Sequence, residues 1–343
     1  MEPLQILHNR ARAHPQRIVL VEGEDERVLR AAAQAVAKKV AKLTLLGRAS
    51  AIQSLAAQLG LTLDGIEIID PASSPRLEPY AQLYFERRRA RGTTLEESYA
   101  AARKPACFAA LRVALADADG VVSCPSGSPA DAIRASLHSI GLAPDARILS
   151  SFSIVIAPSR ITSSAPTNRA LLFADCGVVA NPSAQDLADI AIQSASSART
   201  LFETEPRVAL LSFSTKGSAS HPSLEKIREA LRTVQVRNPA LAIDGELQAD
   251  VALLDSVAAV QAPGSPVAGR ANVLIFPDLN SADIASKLVE QLAGATVLGP
   301  ILQGLSHPAS IVSRTSSPDD ITNVIAVTAI QSIARKQTLS ASG

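Results

Sequence analysis

The sequence predicts an α/β fold with mainly parallel sheets flanked by helices, and three observations lead there. Short apolar runs alternate with stretches of helical spacing through residues 17–69, the pattern of right-handed crossovers between parallel strands. Apolar residues make up 47 % of the 343 residues and come from Ala, Leu, Ile and Val, with no Trp, one Met, three Tyr and seven Phe. Small aliphatics suit a sheet buried on both faces beneath Ala-rich helices. The texture then changes near residue 148, where strand-like runs at 148–157 and 170–179 flank a polar Ser/Thr/Pro connection. That segment reads as a hairpin, which adds an antiparallel pair. The length allows two α/β lobes or one large domain.

The elements follow in order. Residues 17–21 are an apolar strand, broken by the acidic 22–26, and a helix is expected over 27–42. A strand over 43–47 ends in Gly47, a helix covers 49–59, and a strand over 66–69 meets a turn at Asp70-Pro71. Residues 77–115 keep helical spacing and include the basic run 87–91. A strand at 120–123 enters the Gly/Ser/Pro turn 124–129, and a helix follows to 140. Beyond the hairpin come a helix at 184–198, a strand at 207–213, a loop at 214–218 and a helix at 223–234. A strand at 271–276, a helix at 282–292 and a helix at 318–336 with an acidic first turn complete the set, and 339–343 is expected to be disordered.

Composition removes several function classes. A net charge of +1 gives no basic face for nucleic acid or an anionic membrane, and the scarcity of aromatics leaves no stacking platform. Cys107, Cys124 and Cys176 lie far apart with no C-x-x-C, which is neither a disulfide framework nor a zinc site. No apolar run reaches the ~18 residues of a spanning helix. A charged N-terminus without a signal-like stretch completes the expectation of a soluble, cytoplasmic protein.

Two places combine a helix start with polar side chains. In Val312-Ser-Arg-Thr315 an Arg and a Ser precede Pro318, Asp319 and Asp320. Pro favours the first helical position, Ser316 or Ser317 can cap it, and such a terminus offers N–H groups to an anion. The plain alternative is a capped helix with acids that complement its dipole. Ser128-Pro-Ala-Asp-Ala-Ile-Arg134 leads from a strand into a helix, where ligands gather in open α/β sheets. Residues 87–91 read either as a solvated helix face or as a site for a polyphosphate. The loop 212–218 resembles a phosphate loop in composition but lacks the G-x-x-x-x-G-K-[ST] spacing, and neither G-x-G-x-x-G after a strand nor G-x-S-x-G occurs. The five His show no metal spacing. Cys124 sits at a turn after a strand, where a nucleophile can sit, although a buried inert thiol is the ordinary outcome.

Taken together, several segments resemble the phosphate acetyl/butyryltransferase family over nearly the whole chain. They are Val21-Glu-Gly-Glu-Asp-Glu-Arg-Val28, Phe173-Ala-Asp-Cys176, Asp186-Leu-Ala-Asp-Ile-Ala191 and the run from Arg207 to Ser218. Asp244-Gly-Glu-Leu-Gln248, Phe276-Pro-Asp-Leu-Asn280 and Gly299-Pro-Ile-Leu-Gln-Gly304 extend the match. The resemblance implies two lobes of isocitrate/isopropylmalate dehydrogenase type, 1–148 with 302–343 and 149–301, and an active site in the cleft between them. It implies a homodimer and the reaction acetyl-CoA + phosphate ⇌ acetyl phosphate + CoA by direct transfer. CoA and acetyl-CoA are then substrates, with acetyl phosphate or phosphate as the other partner, and no cofactor or metal is bound permanently.

By motif, the family's Ser-Arg pair falls on Ser313 and Arg314 and its acid on Asp320. Its CoA- and phosphate-binding positions fall on Arg88, Arg134, Ser128 and Lys287. Some neighbours differ from the family pattern: Thr315 stands where it has Gly, Ala282-Asp283 where it has Gly-Asn, and Ser286 where it has Tyr. Transfer of propionyl or butyryl groups, or a regulatory acyl-CoA-binding role, are the alternatives that the same scaffold allows.

Overall fold

A computed structural model of the chain describes residues 2–125, 128–158 and 170–341. The chain divides into two compact units, residues 4–145 with 305–343, and residues 146–304 with 1–3. The boundaries expected at 148 and 302 fall at 145 and 305.

The first segment runs α1 (Pro3–Ala13), β1 (Gln16–Leu20), α2 (Glu26–Ala37), β2 (Ala41–Leu46), α3 (Ala49–Gln58), β3 (Ile66–Ile69) and α4 (Leu77–Arg88). A 3-10 turn (Arg89–Arg91) precedes α5 (Leu95–Ala102), α6 (Pro105–Ala114), β4 (Gly120–Ser123) and α7 (Pro129–Ser139). The middle segment holds β5 (Ser150–Ile156), β6 (Ala170–Ala174), α8 (Ala184–Phe202), β7 (Arg207–Leu211), α9 (Glu225–Arg237) and β8 (Ala242–Leu247). It continues with α10 (Ala249–Leu253), α11 (Asp255–Gln261), β9 (Val273–Ile275), α12 (Leu279–Ala293) and β10 (Thr296–Gln303). The last segment is β11 (Ala309–Ile311) and α13 (Pro318–Ala341).

In the unit built from both chain ends the strand order is β3-β2-β1-β4-β11, and every pairing is parallel. In the middle unit the order is β10-β5-β6-β9-β7-β8. There β5 pairs antiparallel with both β6 and β10, and the remaining pairings are parallel. The expected hairpin is thus present as β5 and β6, with Phe152 opposite Ala174. Its connection, residues 159–169, and residues 126–127 of the turn after β4 lie outside the described residues.

Several elements differ from the sequence reading for physical reasons. The helix expected over 27–42 stops at Ala37, where Lys39 takes φ 55 and the buried Val40 and Ala41 turn into β2. The tract 77–115 is three helices and a 3-10 turn. Gly92 closes the turn at φ 85, a left-handed conformation that costs a residue without Cβ little. Thr94 then opens α5 through a reciprocal cap with Glu97. Sequence reading passed over β8 because Asp244, Gly245 and Glu246 interrupt its apolar pattern. All three are interior to the strand, and the two acids are buried against cations. The expected disorder from 339 gives way to helix through Ala341, where Ser340 Oγ donates back to the Lys336 carbonyl at 2.9 Å.

The core of the end-built unit forms where α13 crosses β1 and β4. Ile321, Val324, Ile325, Ala326, Val327, Ala329 and Ile330 are all buried, so the middle of this helix sits inside the unit rather than on its surface. Gly120 makes the close approach possible, since a Cβ there would meet Thr328 Cγ2 at 2.7 Å and Ile18 Cδ1 at 3.1 Å. Asp119 anchors one end of the same layer. Its carboxylate accepts from Arg17 N (2.8 Å), Arg17 Nη2 (2.8 Å) and Lys336 Nζ (3.0 Å).

Burial alone would raise the Asp119 carboxyl, but the Arg17 and Lys336 bonds overcome it and hold the group at about 2. Its stabilisation is therefore fully present above the unfolded carboxylate value of ~3.9 and is lost as pH falls toward the folded value. Asp119→Asn should cost about 2 kcal/mol at neutral pH, read as a lower thermal midpoint. The difference between the two proteins should shrink as the pH is taken below ~4. A difference that stays constant as the pH falls from ~4 toward the folded value would show that Asp119 acts by packing and not by charge.

Candidate functional site

The end-built unit holds a cavity of about 780 Å³ at the carboxyl ends of its strands. Its floor is the turn after β1, residues 21–25, with Leu46 and Gly47 at the end of β2 and Ser123 at the end of β4. Helices α4 to α7 supply the walls through Tyr84, Lys104, Cys107, Ser128, Arg134 and His138. This is where ligands bind in open α/β sheets, because the strand ends diverge there and helix N-termini face the opening.

Glu22 lies at the base and joins two strand ends. Its carboxylate accepts from Ser123 Oγ at 2.8 Å and from Cys124 N at 2.6 Å. Burial pushes the Glu22 carboxyl up, against the pull of those two bonds. Asp25 caps α2, accepting from Arg27 N at 2.8 Å, and pairs with the Arg27 guanidinium at 2.8 Å. Burial works against its charge, yet the Arg27 bonds hold it below the usual carboxylate range. Arg27 also donates to the backbone carbonyl of Arg314. That bond ties the loop between β11 and α13 to the first turn of α2.

The motif residues take up definite positions. Ser313 and Arg314 sit in the β11–α13 loop, with Arg314 exposed. Ser313 Oγ lies 2.9 Å from Thr315 Oγ1, so the residue standing in place of the family's Gly holds the Ser hydroxyl. Asp320 belongs to a reciprocal helix cap: its Oδ2 accepts from Ser317 N (2.9 Å) and Ser317 Oγ (2.7 Å), while Ser317 Oγ accepts from Asp320 N at 3.2 Å. Ser128 caps α7 through Ala130 N, and Arg134 pairs with Asp131 at 2.8 Å on an exposed face. Arg88 ends α4, and its Nε is buried with no hydrogen-bond partner among the described residues. Lys287 lies in the middle unit, on the exposed side of α12, with Nζ 3.8 Å from Glu290.

Sequence reading missed Glu22, Asp25, Arg27, Lys104 and His138 as site residues. The segment around residues 21–28 was a visible signal, but nothing in spacing says that its carboxylates face a cavity. His138 is four residues past Arg134 on α7 and therefore on the same face. Burial lowers its imidazole first, and the charges of Arg88, Arg134 and Arg91 lower it further.

The phosphate-loop-like segment has a different use. Glu246 accepts from Gly217 N (2.9 Å), Ser214 Oγ (3.2 Å) and Arg228 Nη2 (2.9 Å), and Lys216 is spent on Asp244. The loop is clamped to β8 by its own Lys216 and Ser214, and Arg228 of α9 holds Glu246 as well. Among the described residues no group of three or more His, Cys, Asp or Glu stands where it could hold a metal ion. No helix there is long and apolar enough to cross a membrane.

Cys124 does not have the surroundings of a nucleophile: burial first, then the neighbouring Glu22 charge, pushes its thiol up. Burial likewise raises Cys107 to about 11 and Cys176 to about 12. With an aromatic disulfide reagent at neutral pH, all three thiols should react at least ~10²-fold slower in the native protein than after unfolding. One fast equivalent in the native state would reopen Cys124 as a nucleophile.

Comparison with known proteins places this geometry in context. A family described as Phosphate acetyl/butaryl transferase matches residues 3–329. The phosphate acetyltransferase of Paracoccus denitrificans is 45% identical over 331 residues, covering 96% of this chain and 99% of that protein. A phosphotransacetylase structure from Streptococcus pyogenes is similar with a TM-score of 0.87 and 35% identity, covering 96% of this chain and 99% of the other. At the level of fold alone, a 4-hydroxythreonine-4-phosphate dehydrogenase from Klebsiella pneumoniae is similar with a TM-score of 0.52 and 8% identity, covering 92% and 98% of the two chains.

Proposed function

The chain belongs to the phosphate acetyl/butyryl transferase family, and from that premise we propose that it is a phosphate acetyltransferase, interconverting acetyl-CoA plus phosphate with acetyl phosphate plus CoA. The observation that carries this is the 45% identity with a phosphate acetyltransferase over 96% of the chain. A cavity at the strand ends with Lys104, Arg134 and His138 on its wall supports a large anionic substrate.

The proposed chemistry uses groups of this chain alone. The CoA thiol is mostly protonated near neutral pH. Asp320 takes its proton; the cap occupies Oδ2, which leaves Oδ1 for the task. The thiolate sulfur attacks the carbonyl carbon of acetyl phosphate. Ser313 donates its hydroxyl to the oxyanion of the tetrahedral intermediate, held in place by Thr315. The bond from carbon to the phosphate oxygen then breaks, and phosphate leaves on the Arg314 guanidinium, whose planar fork suits its oxygens. The reverse reaction follows the same steps backward.

Arg88, Arg134 and Ser128 are assigned to CoA and phosphate binding, with Lys287 carried over from the family motif. CoA enters as a substrate, and no permanently bound cofactor is invoked. Three unpaired thiols support a reducing compartment, and we read the protein as cytoplasmic. Ile284, Leu288 and Leu292 share one face of α12 and are 57%, 51% and 82% exposed, which supports a homodimer.

Purified protein given CoA and acetyl phosphate should form thioester, followed by absorbance. Arg314→Ala should abolish turnover, and Asp320→Asn should lower kcat by about 10²–10⁴-fold while keeping the helix cap that Asn also provides. Full activity of Asp320→Asn would remove Asp320 as the base. Turnover with propionyl or butyryl phosphate but not acetyl phosphate would reassign the acyl group. CoA binding without any turnover would point to a regulatory role.

A further inference from the structure

The cations on the cavity wall are more than the motif pair. His138 lines the cavity together with Arg134, one helical turn before it on α7, and with Lys104 at the start of α6. Arg88 at the end of α4 and Arg91 in the following turn act on its imidazole as well. Among the described residues the acids lining the far side of the cavity are engaged elsewhere: Glu22 with Ser123 and Cys124, Glu24 with Arg48, and Asp25 with Arg27. Asp131, the acid of α7 that also lines the cavity, pairs with Arg134. Tyr84 and Cys107, the other titratable groups on that wall, are shifted up by burial and stay neutral near pH 7. His138 is thus held neutral by burial first and by its arginine neighbours second.

We propose that His138 is a proton-coupled substrate-binding residue: it is neutral in the free protein, and it takes up one proton when a polyphosphate ligand such as CoA neutralises the surrounding arginines. The inference rests on the reading of the cavity as a CoA site. The physical reason is reciprocal. An arginine field opposes a charge on the imidazole, and an anion placed among those arginines removes the opposition and adds an attraction. Linkage requires that a ligand which raises proton affinity binds tighter when protons are plentiful. CoA affinity therefore rises as pH falls through the interval between the imidazole's bound and free titrations.

The test measures CoA affinity by calorimetry between about pH 5 and pH 8, for the wild type and His138→Gln, each in two buffers of different ionisation heat. The 3′-phosphate of CoA titrates in the same interval, so dephospho-CoA is run beside it. The expected result is proton uptake by the wild type that His138→Gln lacks with both ligands, with an affinity gain of up to about tenfold on acidification that the variant does not share. Imidazole resonances of the wild type should show the His138 titration moving to higher pH on binding, a signature that a purely structural role would not give. Identical pH dependence in the two proteins, or an imidazole titration that does not move, overturns the inference and leaves the CoA site standing. Absence of CoA binding by the wild type at every pH overturns the reading of the cavity and this inference with it.

Discussion

Thr328 lies so near the Cα of Gly120 that a methyl group there would meet its Cγ2 at 2.7 Å. The whole end-built unit depends on that approach. It lets the middle of α13 lie against β4, with β1 beside it, and bury residues 321–330. The chain supplies β1 and β4 early and β11 and α13 last, so the core closes only when the final segment returns. Asp119 secures the arrangement by binding Arg17 of β1 and Lys336 of α13 at once. A carboxylate held by two cations and a backbone amide is stable where a lone buried one would not be.

The candidate site follows from the same closure. Once β11 lies beside β4, the loop after it comes within reach of the start of α2, and Arg27 binds the Arg314 carbonyl. Glu22 joins the β1 turn to the end of β4 beneath the cavity. Two sets of charges then separate. The acids Glu22 and Asp25 are engaged with donors at the floor, while Arg134 and Lys104 stand on the wall beside the neutral His138. A carboxylate whose oxygens are taken is a structural group, and a cation with surplus field is a binding group. This distinction also separates Lys216, consumed by Asp244, from Arg88, whose Nε has no partner among the described residues.

Much of the fold was legible because parallel strands buried on both faces leave continuous apolar runs. β1, β4, β7 and β9 were visible for that reason. β8 was not, since Asp244 and Glu246 are tolerable inside a strand only through Lys216 and Arg228, which come from elsewhere in the chain. The tract 77–115 hid its breaks because Gly92 and Thr94 act through backbone conformation and capping rather than hydropathy. Among the motif residues, Ser313, Arg314 and Asp320 were found by resemblance. What their surroundings do was not, because the Thr315 hydroxyl on Ser313 and the Ser317 cap on Asp320 are side-chain geometry.

By itself the sequence determined the α/β class, the order of most elements, the hairpin and the family, because each is written in local periodicity or in contiguous motifs. Tertiary structure alone decided which charges are spent and which remain free. Glu22, Asp244 and Glu246 find partners 18 to 102 residues away, on a strand end, a loop and a helix, and His138 acquires two of its arginine neighbours from α4 and the turn after it. Electrostatic surroundings depend on distance in space, and a linear spacing carries that information only within one helix or one strand.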